Sequence, residues 1–352
     1  MTQTAQSAGA QASTSRPGAS RRRRRLIGLL VLVILLVLAC VASIAIGTKA
    51  IPLDGVWHAV FTPTATDDDI VVRSLRVPRT VLGLLVGAAL GLAGALMQGH
   101  TRNPLADPGL LGVNAGAAFL VVIGIYVFDI TALTGYVWFA FAGAFAASVA
   151  VFLLGSAGGR GEATPVTLAV AGAAVSALLF GLTSAVILTD VRTLDAYRFW
   201  NVGSLAGRDP EIIAQVAPFL LVGALIALAG APALNALSLG DDVARSLGHS
   251  VGRARVSGVV AITLLAGGAT AACGPIAFLG LIVPHVVRSF TGPDHRWLLP
   301  ASALSGAVLL LTADVIGRVV ARPGELQVGI VLALIGAPFF IALVRRRKLA
   351  QL

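Results

Sequence analysis

Long apolar runs separated by short polar loops occupy the chain from Leu26 almost to its C-terminal end. Most of them have about 20 residues, the length that a helix needs to cross a bilayer. The runs lie at about 26–47, 80–99, 110–128, 135–155, 165–189, 212–232, 254–273, 275–290, 299–317 and 326–344. The pattern predicts an all-α polytopic membrane protein with about ten transmembrane helices. The eighth run is the exception, because it is short and contains Pro284.

The first 25 residues differ from the rest of the chain. They are rich in Ser, Ala, Gln and Gly, end in five arginines, and are predicted to form a disordered basic cytoplasmic tail. Residues 26–348 then form a single transmembrane domain. The first apolar run is longer than the apolar region of a cleaved signal peptide, which favours a retained helix. Basic residues at both ends of the domain place both termini in the cytoplasm, and this requires an even number of crossings.

Composition narrows the function classes. The chain is 57% hydrophobic and 12% charged, which is incompatible with a soluble protein of 352 residues. Its net charge of +10 comes from short clusters between apolar runs, so nucleic acid is not an expected partner. The two cysteines and five histidines show no ligand spacing, so neither a metal nor a cofactor is expected. Neither Lys49 nor Lys348 completes a P-loop, and no hydrolase motif is present, so no enzyme activity is expected.

Small residues recur at helical spacing in two of the runs. Gly83, Gly87 and Gly91 share one face of the second run, and Gly112 and Gly116 repeat the spacing in the third. Helices in lipid associate through close backbone contact, which small residues permit, so both faces are predicted packing surfaces. The polar stretch "HTRNPLADPGLLGVNAG" between these runs is predicted to be a cytoplasmic turn.

Arginines also occur on the predicted outer side. Arg73, Arg76 and Arg79 precede the second span, where Pro78 is predicted to stop any earlier helix. Arg318 and Arg322 follow the ninth span on the same side, and Asp314 with Arg318 has the spacing of a local ion pair. Two interpretations remain open for these arginines: anchoring at the lipid headgroups, or a docking surface for an acidic partner.

The longest cytoplasmic loop, at about 233–253, contains "LNALSLGDDVARSLGHSVGR". Ser238 and Asp241 have the spacing of a capping box, and Gly248 suits the position after a helix end. These features predict a short helix at about 239–247. Its apolar residues recur every four positions, so the helix either lies on the membrane or packs into a groove of another protein.

Five motifs of this chain, taken together, resemble those of a known family. They are "RVPRT", "GALMQGHTRNPLADPGLLGVNAGAA", "LNALSLGDDVARSLG", "GPIAFLGLIVPHVVRSFTGPDHR" and "GELQVGIVLALIGAPFF". Their order resembles that of the FecCD-type permeases, the membrane subunits of bacterial ABC importers for ferric siderophores, haem and cobalamin. The resemblance implies a type II ABC importer permease fold in the cytoplasmic membrane. It also implies three partners: ATPase subunits inside, a substrate-binding protein outside, and a second copy or paralogue of the permease.

The resemblance also suggests site residues. Arg76, Arg79 and Arg318 match outward arginines that meet glutamates of the binding protein, and Asn103 and Leu105 match a turn at the cytoplasmic gate. The loop helix matches the segment that fits the ATPase, through Leu239, Gly240, Asp241, Asp242, Arg245, Leu247 and Gly248. Thr164 and Pro165 depart from the expected pattern of a second gate loop, so no gate residue is assigned there.

The function expected from the resemblance is ATP-driven import of an iron chelate, with a ferric siderophore favoured over haem or cobalamin. Two other classes of membrane protein would need features that this sequence lacks. An ion-coupled secondary transporter would need an acidic residue at membrane depth and paired interrupted helices, and the spans contain few ionisable groups. An integral membrane enzyme would need convergent catalytic groups, for which the sequence offers no motif.

Overall fold

The computed structural model describes residues 17–64, 66–130, 132–157 and 164–349, and these residues form helices without any strand. The helices are α1 (Pro17–Ala45), α2 (Leu53–Phe61), α3 (Asp67–Ile70), α4 (Val77–Thr101), α5 (Val113–Phe128), α6 (Leu133–Ala157), α7 (Pro165–Ile187), α8 (Val191–Asn201), α9 (Pro210–Ala229), α10 (Ala231–Leu237), α11 (Asp241–Ser246), α12 (Val251–Cys273), α13 (Leu279–Thr291), α14 (His295–Val320) and α15 (Val328–Leu349). The predicted tail up to residue 16 and residues 158–163 of one predicted inside loop lie outside the described residues.

The helices are those of an all-α polytopic membrane protein. Within the described ranges, eight helical segments are long and apolar enough to cross a membrane, and α5 and α13 are shorter apolar helices. Together these ten helices overlap the ten predicted spans. The remaining helices are short segments that connect them.

Helix α1 begins earlier than predicted. It starts at Pro17, so residues 17–25 are helical and the prediction of a tail reaching residue 25 is wrong there. Proline favours the first position of a helix, and arginine is a good helix former. The arginines also have partners, because Arg25 Nε donates to the Thr291 carbonyl oxygen at 2.8 Å and Arg24 donates to that of Ser289.

Pro78 does not interrupt the helix that contains it, so this prediction is also wrong. The helix runs continuously from Asp67 to Thr101, with a π-helical turn at Val71–Arg76. A proline removes one backbone donor and crowds the preceding turn of an α-helix. The wider π turn ends at Arg76, two residues before Pro78, and is the local adjustment that lets the helix continue.

Helix α4 lies at the centre of the bundle and packs most extensively against α14. A Cβ added at Gly91 would lie 2.2 Å from the Ser302 carbonyl oxygen, and one added at Gly87 would lie 2.6 Å from Ala307 Cα. Gly116 approaches the Gly143 backbone of α6 equally closely. These contacts confirm that the small-residue faces of α4 and α5 are packing surfaces.

The eighth predicted span has two parts. Helix α13 has 13 residues, which rise about 20 Å, less than the roughly 30 Å of the hydrocarbon core. The non-helical residues 274–278 precede it and supply the missing length. Backbone of this kind at membrane depth must be covered by protein. Gly274 meets this need, since a Cβ there would lie 2.1 Å from the Trp200 carbonyl oxygen.

Candidate functional site

Two polar regions lie at opposite ends of α4, one on each predicted side of the membrane. The first lies at the predicted outer end. Here three arginines converge on the C-terminal end of α1. Arg76 donates to the carbonyl oxygens of Ile44, Ala45 and Lys49 at 3.0, 2.7 and 2.5 Å. Arg318 donates to those of Ser43 and Ile46, and Arg322 to that of Gly47. A helix end leaves its last carbonyl groups without partners and carries partial negative charge, so the arginines satisfy and neutralise it.

A buried ion-pair network continues from this helix end. Asp314 is 1% exposed and accepts from Arg318 Nη2 at 2.8 Å, which confirms the predicted local pair. The same carboxylate also accepts from Arg79 Nε and Nη2 at 3.0 and 2.7 Å. Arg79 Nη1 donates further to Glu325 at 2.7 Å. Because each charge has hydrogen-bonded partners, the network can remain ionised away from water.

A cavity of about 570 Å³ opens beside this network. Its basic lining residues are Lys49, Arg76, Arg79, Arg208 and Arg318, and its acidic lining residues are Asp209 and Glu325. Five basic residues against two acidic ones leave a surplus of three positive charges in the lining. The neighbouring carboxylates of Asp314, which pairs with Arg79 and Arg318, and Asp68, which pairs with Lys49, reduce this surplus to one. We call this space the outer cavity. Its electrostatic character suits an anionic group.

Arg208 contributes charge to the outer cavity without a carboxylate partner among the described residues. Its Nε donates to the Ser204 carbonyl oxygen at 3.1 Å and its Nη2 to that of Cys273 at 3.4 Å. Burial lowers the pKa of the Arg208 guanidinium from its ordinary value. Sequence analysis did not single this residue out. The one sequence feature that could have drawn attention to Arg208 is its position directly before Asp209, which caps α9.

The predicted docking arginines are therefore less exposed than direct docking would require, and their docking role stays a prediction. Arg76 and Arg318 are 4% and 2% exposed, and both guanidinium groups donate to other groups of the chain, although Arg318 Nε has no partner among the described residues. Their burial leaves little surface for contact with headgroups or for a direct ion pair with a partner. Arg79 is also engaged, with 11% of its side chain exposed. All three arginines still contribute positive charge to the lining of the outer cavity.

At the other end of α4, the loop helix α11 has a different start from the one predicted. Ser238 does not cap it; its hydroxyl donates to the Asn235 carbonyl oxygen at 2.7 Å. The residue before α11 is Gly240, with φ 114° and ψ 154°, a conformation essentially restricted to glycine. This backbone turns the chain directly into the helix, so no side-chain cap forms.

The end of α11 is as predicted. Gly248 has φ 83°, and its backbone N–H donates to the Arg245 carbonyl oxygen at 2.9 Å. The next N–H, of His249, donates to the Ala244 carbonyl oxygen at 3.0 Å. These two bonds form a Schellman motif, which confirms Gly248 as the helix-terminating residue.

One face of α11 and its preceding turn is apolar and uncovered. Leu239, Val243 and Leu247 are 64%, 42% and 60% exposed, whereas Ala244 is fully buried. Asp242 is exposed beside them and pairs with Arg245 at 3.0 Å. The loop therefore presents an apolar patch bordered by charges, which is the composition of a protein-binding surface.

The turn after α4 contains the two predicted gate residues. Asn103 Oδ1 accepts from the Leu105 backbone N–H at 3.0 Å, and the Asn103 carbonyl oxygen accepts from the Ala106 N–H at 3.1 Å. An asparagine side chain commonly builds a turn in this way. Asn103 thus shapes the turn and fixes the position of Leu105 within it.

An ion pair that sequence analysis missed joins this turn to α11. Asp241 at the start of α11 accepts from Arg102, which directly precedes Asn103, and from Arg255 of α12. Arg102 and Asp241 are 139 residues apart in the chain, so no local pattern could reveal the pair. The two predicted inner sites are in direct contact through it.

Thr164 has a local role. Its hydroxyl accepts from the Thr167 backbone N–H at 3.2 Å, and the Thr167 hydroxyl accepts from the Thr164 N–H at 2.9 Å. The pair forms a capping box at the start of α7, with Pro165 in the first turn.

Comparison with known proteins identifies the family and the relatives that this chain resembles. The family model described as the FecCD transport family matches residues 34–346. The ferric enterobactin transport system permease protein FepD of Escherichia coli is 49% identical over 88% of this chain and 92% of its own length. The Fe(3+)-citrate import system permease protein YfmD of Bacillus subtilis is 38% identical over 92% of this chain and 96% of its own.

A solved structure agrees with these sequence relatives. It shows an inward-facing conformation of a protein described as a metal-chelate type ABC transporter. The similarity has a TM-score of 0.79 at 31% sequence identity, over 91% of this chain and 99% of the other. The match with the family model covers far more than half of the chain, and both relatives cover most of it. The chain therefore belongs to the FecCD transport family.

Proposed function

We propose that this chain is the permease subunit of an ABC importer that carries an iron chelate across the bacterial cytoplasmic membrane. The observation that carries the proposal is the similarity to the metal-chelate type ABC transporter over 91% of the chain. The relatives at 49% and 38% identity are named as iron-chelate permeases and support the same cargo class. ATP hydrolysis would then belong to separate subunits, and the chain itself would be no enzyme.

A ferric siderophore is the proposed cargo. The relative named for ferric enterobactin supports this choice, and haem and cobalamin are the alternatives because other relatives are named for hemin and cobalamin import. The positive surplus of the outer cavity favours an anionic chelate. We propose alternating access, in which the cargo passes between this subunit and a second copy or paralogue.

The inner surface supports docking of an ATPase. The apolar patch of Leu239, Val243 and Leu247 needs a cover, and a groove on a partner protein would provide one. Gly240 and Gly248 fix the two ends of the short helix, while Asp241, Asp242 and Arg245 surround the patch with charge. Asn103 and Leu105 would form the gate beside it.

The outer surface supports docking of an acidic binding protein, but by a different mechanism from the direct arginine–glutamate pairs that the resemblance implies. Arg76, Arg79 and Arg318 would act through the positive potential of the outer cavity rather than through direct pairs. Such a potential mainly raises the association rate and makes it depend on salt.

The proposed function is tested by reconstituting the chain in proteoliposomes with its ATPase and binding protein. Uptake of a radioactive ferric siderophore should require all three components and ATP, and unlabelled haem or cobalamin should not compete. Uptake that proceeds without the ATPase, driven by a proton or sodium gradient, would instead establish a secondary transporter. The buried acid that such a transporter would use, Asp314, is bound here to two arginines near the predicted outer end.

The docking proposal is tested with Arg208→Gln, using Arg192→Gln as the control. Both replace an arginine on the predicted outer side, but Arg192 is 61% exposed and pairs with Asp129 outside the cavity. We expect Arg208→Gln to slow association of the binding protein several-fold at low salt and to weaken its salt dependence. Equal association rates for the two variants would contradict docking at the outer cavity.

A further inference from the structure

Arg102 combines an unusual backbone with a specific side-chain contact. It ends α4 in the left-handed conformation, with φ 50° and ψ 28°, which non-glycine residues seldom adopt. Its side chain extends to the carboxylate of Asp241. A strained residue persists only where its surroundings hold it, and here the ion pair is one such constraint.

Asp241 binds elements from three parts of the inner surface. Oδ1 accepts from Arg102 at the end of α4, Oδ2 accepts from Arg255 of α12, and the residue itself begins α11. The carboxylate is 26% exposed and Arg255 is 12% exposed, so salt screens this cluster less than a fully exposed pair. A single carboxylate therefore connects the loop helix with the rest of the inner surface.

The contact lies directly beside the proposed gate. Arg102 is the residue before Asn103, whose side chain shapes the turn that contains Leu105. A displacement of Asp241 would therefore act on the backbone of this turn through the side chain of Arg102. Among the described helices, α11 packs mainly against α10 and α12, which do not contain the gate residues.

We infer that Asp241 is a positioning residue that couples movement of α11 to the gate turn through its ion pair with Arg102. This inference rests on the proposed function, because an ATPase must supply the movement. When the ATPase subunits displace α11, the pair moves Arg102, and the turn at Asn103 and Leu105 moves with it. The contact must differ between the two states of the permease, since an interaction equal in both shifts no equilibrium.

The test uses the full transporter, reconstituted with its ATPase and binding protein, and measures ATP hydrolysed per chelate imported. The variants are Asp241→Asn, Arg102→Gln and their combination. Asp294→Asn is the matched control, because it removes a carboxylate of the predicted inner side that is 31% exposed, close to the 26% of Asp241, and that pairs with Arg25 rather than with the gate turn or α11. Asp241→Glu tests rescue by a residue that keeps the charge. Co-purification of the ATPase measures assembly separately.

We expect Asp241→Asn and Arg102→Gln each to raise the ATP consumed per chelate at least fivefold, with normal assembly. The combined variant should be no worse than either single one, because both remove the same contact. Asp294→Asn should stay within twofold of the parent chain, and Asp241→Glu should recover most of the coupling.

Two outcomes would overturn the inference while leaving the proposed function intact. One is unchanged coupling in Asp241→Asn when the parent transporter imports normally. The other is loss of ATPase co-purification in Asp241→Asn, which would make Asp241 a docking residue. If the parent transporter shows no ATP-driven import, the proposed function fails and the inference fails with it.

Discussion

At the scale of single residues, burial explains why the arginines of the outer end differ from their prediction. A cluster of arginines near a membrane surface favours headgroup anchoring or docking, and both require exposed side chains. In the structure, Arg76 and Arg318 are buried because the end of α1 offers carbonyl oxygens, and Arg318 also has Asp314. The spacing of Asp314 and Arg318 revealed one contact of this network, whereas Arg79 joins it from 235 residues away.

The buried network should dominate the stability of the outer end. Arg318→Ala leaves carbonyl oxygens of α1 without donors, and it removes one of the two arginines that bind Asp314, so we expect a loss of about 3–5 kcal/mol. Arg192→Ala is the control of the same residue type, because its ion pair is largely exposed and is worth about 0–1 kcal/mol. Thermal unfolding of the purified chain in detergent measures both. Similar melting temperatures for the two variants would contradict the importance of the network.

Asp107 gives the turn near the proposed gate a dependence on pH. Burial raises the pKa of its carboxyl, although the Gly109 N–H donates to it at 2.8 Å. Because the pKa of Asp107 is higher in the folded chain than in the unfolded chain, the protonated carboxyl stabilises the fold. This contribution is fully present below the unfolded pKa of about 4 and is lost as the pH rises through the folded pKa. Asp107→Asn keeps the acceptor for Gly109 and removes the ionisation.

The Asp107→Asn variant should therefore be at least as stable as the parent chain at pH 7, and its advantage should shrink toward pH 4. Melting temperatures of both proteins across this range provide the measurement. A parent chain that gains stability over the variant as the pH rises would show that the carboxylate is favoured in the folded state.

At the scale of helices, the sequence predicts packing faces and termini better than interruptions. The glycine spacing in α4 and the glycine after α11 were both informative, because they depend on local geometry. Pro78 was misleading, since a proline usually ends a helix but a π turn accommodates it here. Ser238 was misleading for a related reason: Gly240 provides a backbone conformation that starts α11 without a cap.

The close contact between α4 and α14 should not tolerate a methyl group. In Gly91→Ala the new Cβ would lie 2.2 Å from the Ser302 carbonyl oxygen, so the helices must separate. Overpacking of this kind costs about 1–3 kcal/mol. Gly181→Ala in α7 is the matched control, because no atom lies within 4 Å of an added Cβ there. Equal thermal stability of the two variants would contradict this packing.

At the scale of the whole molecule, hydropathy and charge predict the class of protein and an orientation, but not which distant residues meet. The Arg102–Asp241 and Arg79–Asp314 contacts join residues 139 and 235 positions apart. Such pairs depend on how ten apolar helices are arranged, and the apolar pattern of each helix is compatible with many arrangements. The cationic outer cavity follows from that arrangement, and so does the link between the two inner sites.

The predicted orientation can be tested with two cysteine variants. The side chains of Asp68 and Asp242 are 39% and 100% exposed and lie on opposite predicted sides of the membrane. In a background without Cys40 and Cys273, Asp68→Cys should react with an impermeant thiol reagent in intact cells. Asp242→Cys should react only after the cells are opened. The reverse labelling pattern would invert the topology.

The arginines that bind the end of α1 also have a consequence for biogenesis. Helix α1 is synthesised before the other nine apolar helices, and within its span only 11% of the residues are buried. Its other main contacts, from Arg24 and Arg25 to the end of α13 and along α14, are also made with residues that are synthesised late. The carbonyl oxygens of Ile44 and Ala45 can accept from Arg76, which is synthesised soon after α1. The carbonyl oxygens of Ser43 and Ile46 accept from Arg318, which is synthesised some 275 residues later. Docking of the first helix is thus among the last steps of assembly, and nascent chains that end before α14 should still present α1 to the insertion machinery.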